Sequence, residues 1–342
     1  MITKWMGGSK SGAVAIGAAM AGLMVAGVQT ASAMEGGTGF YLLGSRAHLS
    51  GVMPGPGGYF SNDLYVYDGS ASVKFPIGEL VLDGGLEATA VVDLMTALQV
   101  LPVQFLGGTL AVGLTLPVGW QEVSAAGNVL DPNGNPIVGF ATSDDDFEIG
   151  DPVLVASLGW HSGNFHWQLG GLLNVPIGSY GEDDLVNLGF NRWAFDLTGA
   201  GTYLDMVTGF EISAALGFTF NGENLDTGYE SGTELHLEFA ASKLFANGMS
   251  LGVVGYHYQQ LTGDSGGTPE QQTLINQLGG FKGRVTAIGP SAGMTLPLGD
   301  RALSMNLRWY HELDAKYRME GDAVFFSAAV PLQADPRFAT SK

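Results

Sequence analysis

The sequence contains no cysteine. That excludes disulfide scaffolds, thiolate zinc sites and cysteine nucleophiles, and it suits export to an oxidising compartment. Charge is scarce, with Asp, Glu, Lys and Arg making up 14% of 342 residues. Positive charge is scarcer: 14 Lys+Arg stand against 33 Asp+Glu, a formal net charge of -19 at pH 7. Such a chain offers no cationic face to phosphates, which excludes nucleic acid as a partner. Unbroken helical runs are missing as well. Residues 94–121 carry no charge, but Pro102, Pro117, Gly107, Gly108, Gly113 and Gly119 would break a spanning helix there. What the chain does have is 46% apolar residues, 53 glycines and a mean hydropathy of +0.19. Little charge with much apolar surface excludes a disordered chain and points to a membrane.

The N-terminus has the form of an export signal. Lys4 and Lys10 precede an apolar stretch over residues 13–28, and Ala31-Ser32-Ala33 supplies a small-x-small cleavage pattern. Residues 1–33 are therefore expected to be removed, taking both lysines with them.

The rest of the chain alternates with period two. Glu234, His236 and Glu238 alternate with Leu235, Leu237 and Phe239. Ser304, Asn306, Arg308, Tyr310 and Glu312 alternate with Leu303, Met305, Leu307, Trp309, His311 and Leu313. Glu211, Ser213, Gly217 and Thr219 alternate with apolar neighbours in the same way. Strands of about ten residues match a tilted membrane crossing. Short turns near 161–164, 205–207, 247–248 and 298–299 alternate with long polar links at 120–149, 176–191, 221–231 and 262–282.

This pattern predicts an all-β fold: an antiparallel transmembrane β-barrel of about 12 strands over residues 62–332, starting near 62, 84, 105, 150, 164, 192, 208, 232, 249, 283, 301 and 321. A stretch over 97–104 could instead form a short helix. Residues 34–61, with Pro54-Gly55-Pro56-Gly57-Gly58, form either a periplasmic tail or a plug in the lumen, and residues 333–342 a C-terminal tail. A backbone in hydrocarbon must pair every N–H and C=O, which strands achieve only in a closed sheet.

The polar face is expected to line the lumen with Glu211, Glu234, His236, Glu238, His257, Arg308 and Glu312. Asn247-Gly248 reads as a two-residue type I′ hairpin, which sets Glu238 opposite His257. Trp160, Trp167, Tyr203 and Phe245 are expected in an aromatic girdle near the short turns, and Trp120, Trp193, Tyr256 and Tyr258 in one near the long loops.

Six strings carry a family resemblance: GDPVLVASLGWHSGNFHWQLG (150–170), NVPIGSYGEDD (174–184), NLGFNRWAFDLTGAGTY (187–203), FNGENLDTGYESGTELHLEF (220–239), GYHYQQLTGDSG (255–266) and GRVTAIGPSAG (283–293). Together they resemble the MetA-pathway of phenol degradation family. The resemblance implies an exported barrel in the bacterial outer membrane, associated with catabolism of aromatic compounds and admitting hydrophobic or aromatic solutes. It carries no binding residue over to this chain.

Several features resemble sites. Gly289-Pro290-Ser291-Ala292-Gly293 fits the G-x-S-x-G pattern, with Asp300 and His311 following in hydrolase order. That elbow requires a strand–turn–helix, whereas here strand-like sequence continues, so a glycine-eased strand is expected. Residues 131–136 begin like an EF-hand loop, but Pro136 stands at the glycine position. Asp144, Asp145, Asp146, Glu148 and Asp151 form an acidic cluster, read as a solvated loop or a divalent-cation site. The six histidines form no H-x-x-x-H or H-E-x-x-H pair, and neither a metal nor a cofactor is expected.

The expected function is a channel for small hydrophobic or phenol-like compounds. The alternatives are a barrel enzyme acting on lipid or peptide, for which Glu312 with His257 is the nearest pair, and a non-transporting surface barrel. Expected partners are outer-membrane lipid, lipopolysaccharide, the solute, and the barrel assembly machinery during biogenesis.

Overall fold

The structure is a computed structural model and describes residues 39–77 and 80–333. The expected signal over 1–33 and all but the first residue of the expected tail lie outside the described residues. Fifteen strands follow in chain order. They are β1 (Gly57–Ile77), β2 (Leu80–Phe105), β3 (Gly108–Leu130), β4 (Pro136–Ile149), β5 (Val153–Ser162), β6 (Phe165–Asn174), β7 (Ala194–Asp205), β8 (Phe210–Asn221), β9 (Tyr229–Glu230), β10 (Glu234–Leu244), β11 (Met249–Gln260), β12 (Ser265–Gly266), β13 (Arg284–Leu298), β14 (Arg301–Lys316) and β15 (Glu320–Pro331).

One antiparallel sheet runs β2-β1-β15-β14-β13-β11-β10-β8-β7-β6-β5-β3-β4, and a β2–β3 pairing closes it. Twelve strands thus form the barrel, and β4 adds an extra strand against the upper half of β3. Closure leaves no unpaired edge within the membrane-crossing part.

The outer face is apolar. Phe195, Leu197, Leu216, Phe218, Leu237, Phe239, Val253, Ile288, Leu307 and Leu313 are exposed there. In water this surface would be unstable; in lipid it is the expected state. Trp160 and Trp167 stack at 6.5 Å near one short turn, and Phe165 packs on Tyr203 at 5.1 Å beside it, forming part of the girdle on that rim.

Three local expectations fail. The stretch over 97–104 lies in strand β2. The link at 120–149 is largely an upright hairpin, since β3 runs on through Trp120 to Leu130 before β4 returns. The register of β10 and β11 is one residue away from a type I′ hairpin. Phe245 N–H bonds Met249 O, so the loop holds three residues, Ala246 to Gly248. Gly248 takes φ 85 while Asn247 keeps a negative φ. A type I′ turn needs positive φ at both central residues; one left-handed glycine fits the three-residue loop instead. Glu238 therefore faces Tyr256. A one-residue slip swaps the faces of a strand, so Tyr256 and Tyr258 point inward and His257 outward.

Residues 39–53 lie inside the barrel, where they contact inward-facing residues of β6, β7, β8, β10, β13 and β14. Gly44 takes φ 87, and a Cβ there would stand 2.8 Å from the Tyr310 ring, so the chain passes this point only as glycine. Above the lumen the loop over 261–283 carries a helix, Pro269–Gln277, capped by Thr268 and Gln271. Its Ile275 packs with Tyr229 and Phe281.

Candidate functional site

The inner face of β8 carries Glu211, and that of β10 carries Glu234 and Glu238 with His236 between them, because side chains alternate along a strand. Glu211, Glu234, His236, Glu238, Arg308 and Glu312 all lie inside the barrel and are buried. His257 does not join them: it is half-buried on the outer face and bonds Thr286 Oγ1 at 2.8 Å. The pairing of Glu312 with His257 considered for an enzyme is therefore absent, since the two face opposite sides of the wall.

Two of these carboxyl groups hold the lumenal segment. Glu238 accepts the Tyr41 hydroxyl on Oε1 at 2.8 Å and the Arg46 backbone N–H on Oε2 at 2.9 Å. Glu211 accepts the Leu49 N–H on Oε1 at 3.0 Å, and His48 Nδ1 lies 3.0 Å from its Oε2. Ser242 and Ser213 add hydroxyl donors to the same carboxyl group. From β14, three strands round the wall from β10, Arg308 Nη1 donates to Gly44 O at 3.0 Å and Ser45 O at 3.2 Å. Gly51 N–H bonds Thr202, and Gln168 bonds Val52 O. Charge-assisted bonds of this kind are the stronger class, and here they are made between a wall and a strap of coil.

Aromatic rings fill the middle of the lumen. Tyr41, Tyr256, Tyr258, Tyr310 and Phe325 form one buried cluster, with Tyr65 and Tyr67 packed against it. Glu312 is spent there, accepting the Tyr67 and Tyr256 hydroxyls at 2.8 Å each. Two chambers flank this belt. One of about 740 Å³ lies toward the long loops, between the tall wall of β1 to β3 and Leu278, Phe281, Tyr317 and Arg318. The other, about 350 Å³, lies toward the short turns and is lined by His48, Arg308, Phe245, Met249, Met294 and Met305 among others.

Sequence reasoning missed Asp196, which holds His236 Nε2 at 2.7 Å and accepts the Thr198 and Thr219 hydroxyls. The alternation Asp196-x-Thr198 opposite Thr219 was its signal. Tyr256 and Tyr258 were missed because the slipped register sent them to lipid. The lumenal partners Tyr41 and His48 carry no sequence signal, since they sit in coil.

Ser291 of the G-x-S-x-G string lies in β13, in the strand context expected of it. Its Oγ is 2.6 Å from His48 Nε2, whose other nitrogen meets Glu211, so the three side chains have the connectivity of a hydrolytic triad. The surroundings differ from an active site. Ser291 lines neither chamber, and it is paired across both neighbouring strands, with Gly252 on β11 and Arg308 on β14, rather than standing at a strand-to-helix turn.

The acidic side chains of the upright hairpin tie down the next loop: Asp144 accepts Leu185 N–H and Glu148 accepts Leu188 N–H. Among the described residues no group of three His, Asp or Glu side chains could hold a metal ion. Asp131 closes the hairpin tip, and bonds from Asn135 hold its carboxyl below the usual carboxylate range.

The COG4313 outer membrane channel from Pseudomonas putida F1 superposes with a TM-score of 0.57 at 18% identity, covering 85% of this chain and 99% of that one. The toluene transporter TbuX from Ralstonia pickettii reaches 0.40 at 8% identity, covering 82% and 90%. The transport unit of the autotransporter AIDA-I from Escherichia coli reaches 0.39 at 8%, covering 86% and 93%, so this level of similarity distinguishes nothing among barrels. No curated protein matches. The family model for the MetA-pathway of phenol degradation matches residues 61–328, and the chain, an outer-membrane β-barrel, belongs to that family.

Proposed function

We propose that the protein is an outer-membrane channel admitting small hydrophobic or aromatic compounds, and that residues 39–53 are its barrier. The carrying observation is the build of the lumen: a belt of aromatic rings between two chambers, crossed by a coil segment held by hydrogen bonds and packing. Membership of a phenol-degradation family and the similarity to a channel support the reading. Twelve strands enclose more space than eight, whose interior side chains alone can fill, and here coil occupies part of the remainder, between the two chambers. Lipopolysaccharide slows hydrophobic solutes at the outer leaflet, so such solutes gain from a protein route. Membrane lipid covers the apolar band, lipopolysaccharide the outer rim, and the barrel assembly machinery inserts the chain.

Uptake of phenol and toluene by intact cells, with and without the protein, tests this. Faster uptake with the protein is expected; equal rates would sink it. Intact cells are needed because a plain phospholipid vesicle already lets these solutes through.

The protein acts without covalent catalysis in this reading. The Ser291–His48–Glu211 chain pins the segment. Hydrolysis of p-nitrophenyl acetate by the purified protein should equal that of Ser291→Ala; a loss on substitution would reinstate the enzyme.

A further inference from the structure

A tyrosine side chain is a phenol on a methylene handle. Tyr41 belongs to the lumenal segment, and the barrel wall holds a fitted place for its ring. The ring lies parallel to the His236 imidazole, with centroids 3.4 Å apart and planes 15° apart. Its hydroxyl donates to Glu238 Oε1 at 2.8 Å. Tyr256, Tyr258, Tyr310 and Phe325 belong to the same packed cluster, and Tyr41 is only 4% exposed.

The stacking face and the hydroxyl acceptor for this ring are carried by the wall. His236 and Glu238 stand two apart on the inner face of β10. Asp196 fixes the imidazole, and Thr198 and Thr219 fix Asp196. The flat face is therefore set by the wall alone, and the acceptor at its end stands on the same strand, with its other oxygen on the Arg46 N–H. Without Tyr41, Glu238 loses a donor in a buried place, and a buried acceptor left short of donors is costly. The vacated place favours a molecule that brings both a ring and a hydroxyl.

We infer that His236 and Glu238 form a binding site for neutral phenols, of which Tyr41 is the resident occupant. A phenol reaching the site takes the ring position and the Glu238 bond, Tyr41 leaves, and the strap over 41–51 is loosened. The inference rests on the channel reading for how the solute arrives. Arg318 lines the 740 Å³ chamber and lies 4.3 Å over the Tyr258 ring, so the chamber floor adjoins the belt that holds Tyr41. The site separates solutes by chemistry. A phenol keeps its proton below a pH of about 10 and can donate. Toluene brings the ring without the donor. Benzoate brings a negative charge into a wall of carboxyl groups.

The test uses the full processed protein purified in detergent and Tyr41→Ala, with p-cresol, toluene and benzoate as probes. Truncating a buried ring leaves a void that its own shape refills. p-Cresol is expected to raise the unfolding temperature of Tyr41→Ala more than that of the unsubstituted protein, and more than equal concentrations of toluene or benzoate do. In the unsubstituted protein the Arg46 and Leu49 amides, which donate to Glu238 and Glu211, report the strap. p-Cresol should speed their hydrogen exchange roughly tenfold, and toluene should not.

Equal responses to toluene and p-cresol would overturn the inference, since an apolar void alone would explain them. A response in Tyr41→Ala with no change of exchange in the unsubstituted protein would overturn the displacement. Should Tyr41→Ala not fold, the exchange measurement decides alone. Cellular uptake separates the two readings: absent uptake with the cresol response intact removes the channel and keeps the site, and normal uptake without any cresol response does the reverse.

Discussion

Strands β7, β8 and β10 and strands β2, β3 and β4 belong to one sheet, yet they meet different surroundings. The first group has 11 or 12 residues per strand, and its burial switches at nearly every step: Glu211, Ser213, Ala215 and Thr219 are buried on β8 while Ile212, Leu216 and Phe218 are exposed. The second group reaches 26 residues in β2 and 23 in β3, and in these two long strands burial follows no strict alternation. About ten residues suffice to cross the membrane, so the upper half of this wall stands in water. There the wall divides no lipid from a packed lumen; its apolar side chains gather in small local clusters, such as Leu82 and Val129 with Val138 and Phe140, and strict alternation lapses in β2 and β3. The short wall divides lipid from a packed lumen, and its sequence records the division.

The comparison can be broken at its two outer faces. Leu237→Arg puts a guanidinium into the lipid band of the short wall and should cost about 3 kcal/mol. Phe147→Arg, on the exposed upper hairpin, should stay within about 0.5 kcal/mol. Urea unfolding of the two variants in lipid vesicles measures both, and equal costs would mean that the apolar face of β10 does not meet lipid.

The inner faces give the next effect. Glu211→Ala removes the acceptor for Leu49, His48, Ser213 and Ser242 and should cost about 2 kcal/mol, with exposure of residues 46–51 to protease. Glu122→Gln on the tall wall is expected to leave stability and protease resistance unchanged.

A smaller effect is confined to the loop over 261–283. Asp264 accepts the Tyr229 hydroxyl, Gly232 N–H and Gln260 Nε2, and its burial pushes the carboxyl up to about 6. The folded loop then keeps a proton that the unfolded loop has released above the ordinary Asp range of about 4. Its stability is greatest at low pH, falls as pH rises from about 4 to about 6, and is constant beyond. Loop proteolysis should therefore be several-fold faster at pH 7 than at pH 5, and Asp264→Asn should remove the difference.

His257→Ala sharpens the register at the lowest cost. On the outer face it gives up one bond to Thr286, so less than about 1 kcal/mol is expected. A lumenal position would give a loss like that of Glu211→Ala.

Much of the fold was legible where the faces differ. Strand starts expected near 192, 208, 232, 249, 283, 301 and 321 fall at Ala194, Phe210, Glu234, Met249, Arg284, Arg301 and Glu320. The resemblance strings lie in the same two-thirds of the chain. Legibility failed at Asn247-Gly248, where the same dipeptide serves a two-residue loop or a three-residue one and only tertiary packing chooses. That single choice misplaced His257, Tyr256 and Tyr258 together. It failed again for Tyr41 and His48, because coil inside a barrel has no period to read, and its partners are set by strands more than 160 residues away.

The barrier role of residues 39–53 is tested most directly by single-channel conductance in a planar bilayer, comparing the unsubstituted protein with Glu211→Gln/Glu238→Gln. The account predicts low conductance for the first and frequent large openings for the second, as the segment leaves the lumen. Identical traces from two folded proteins would contradict it.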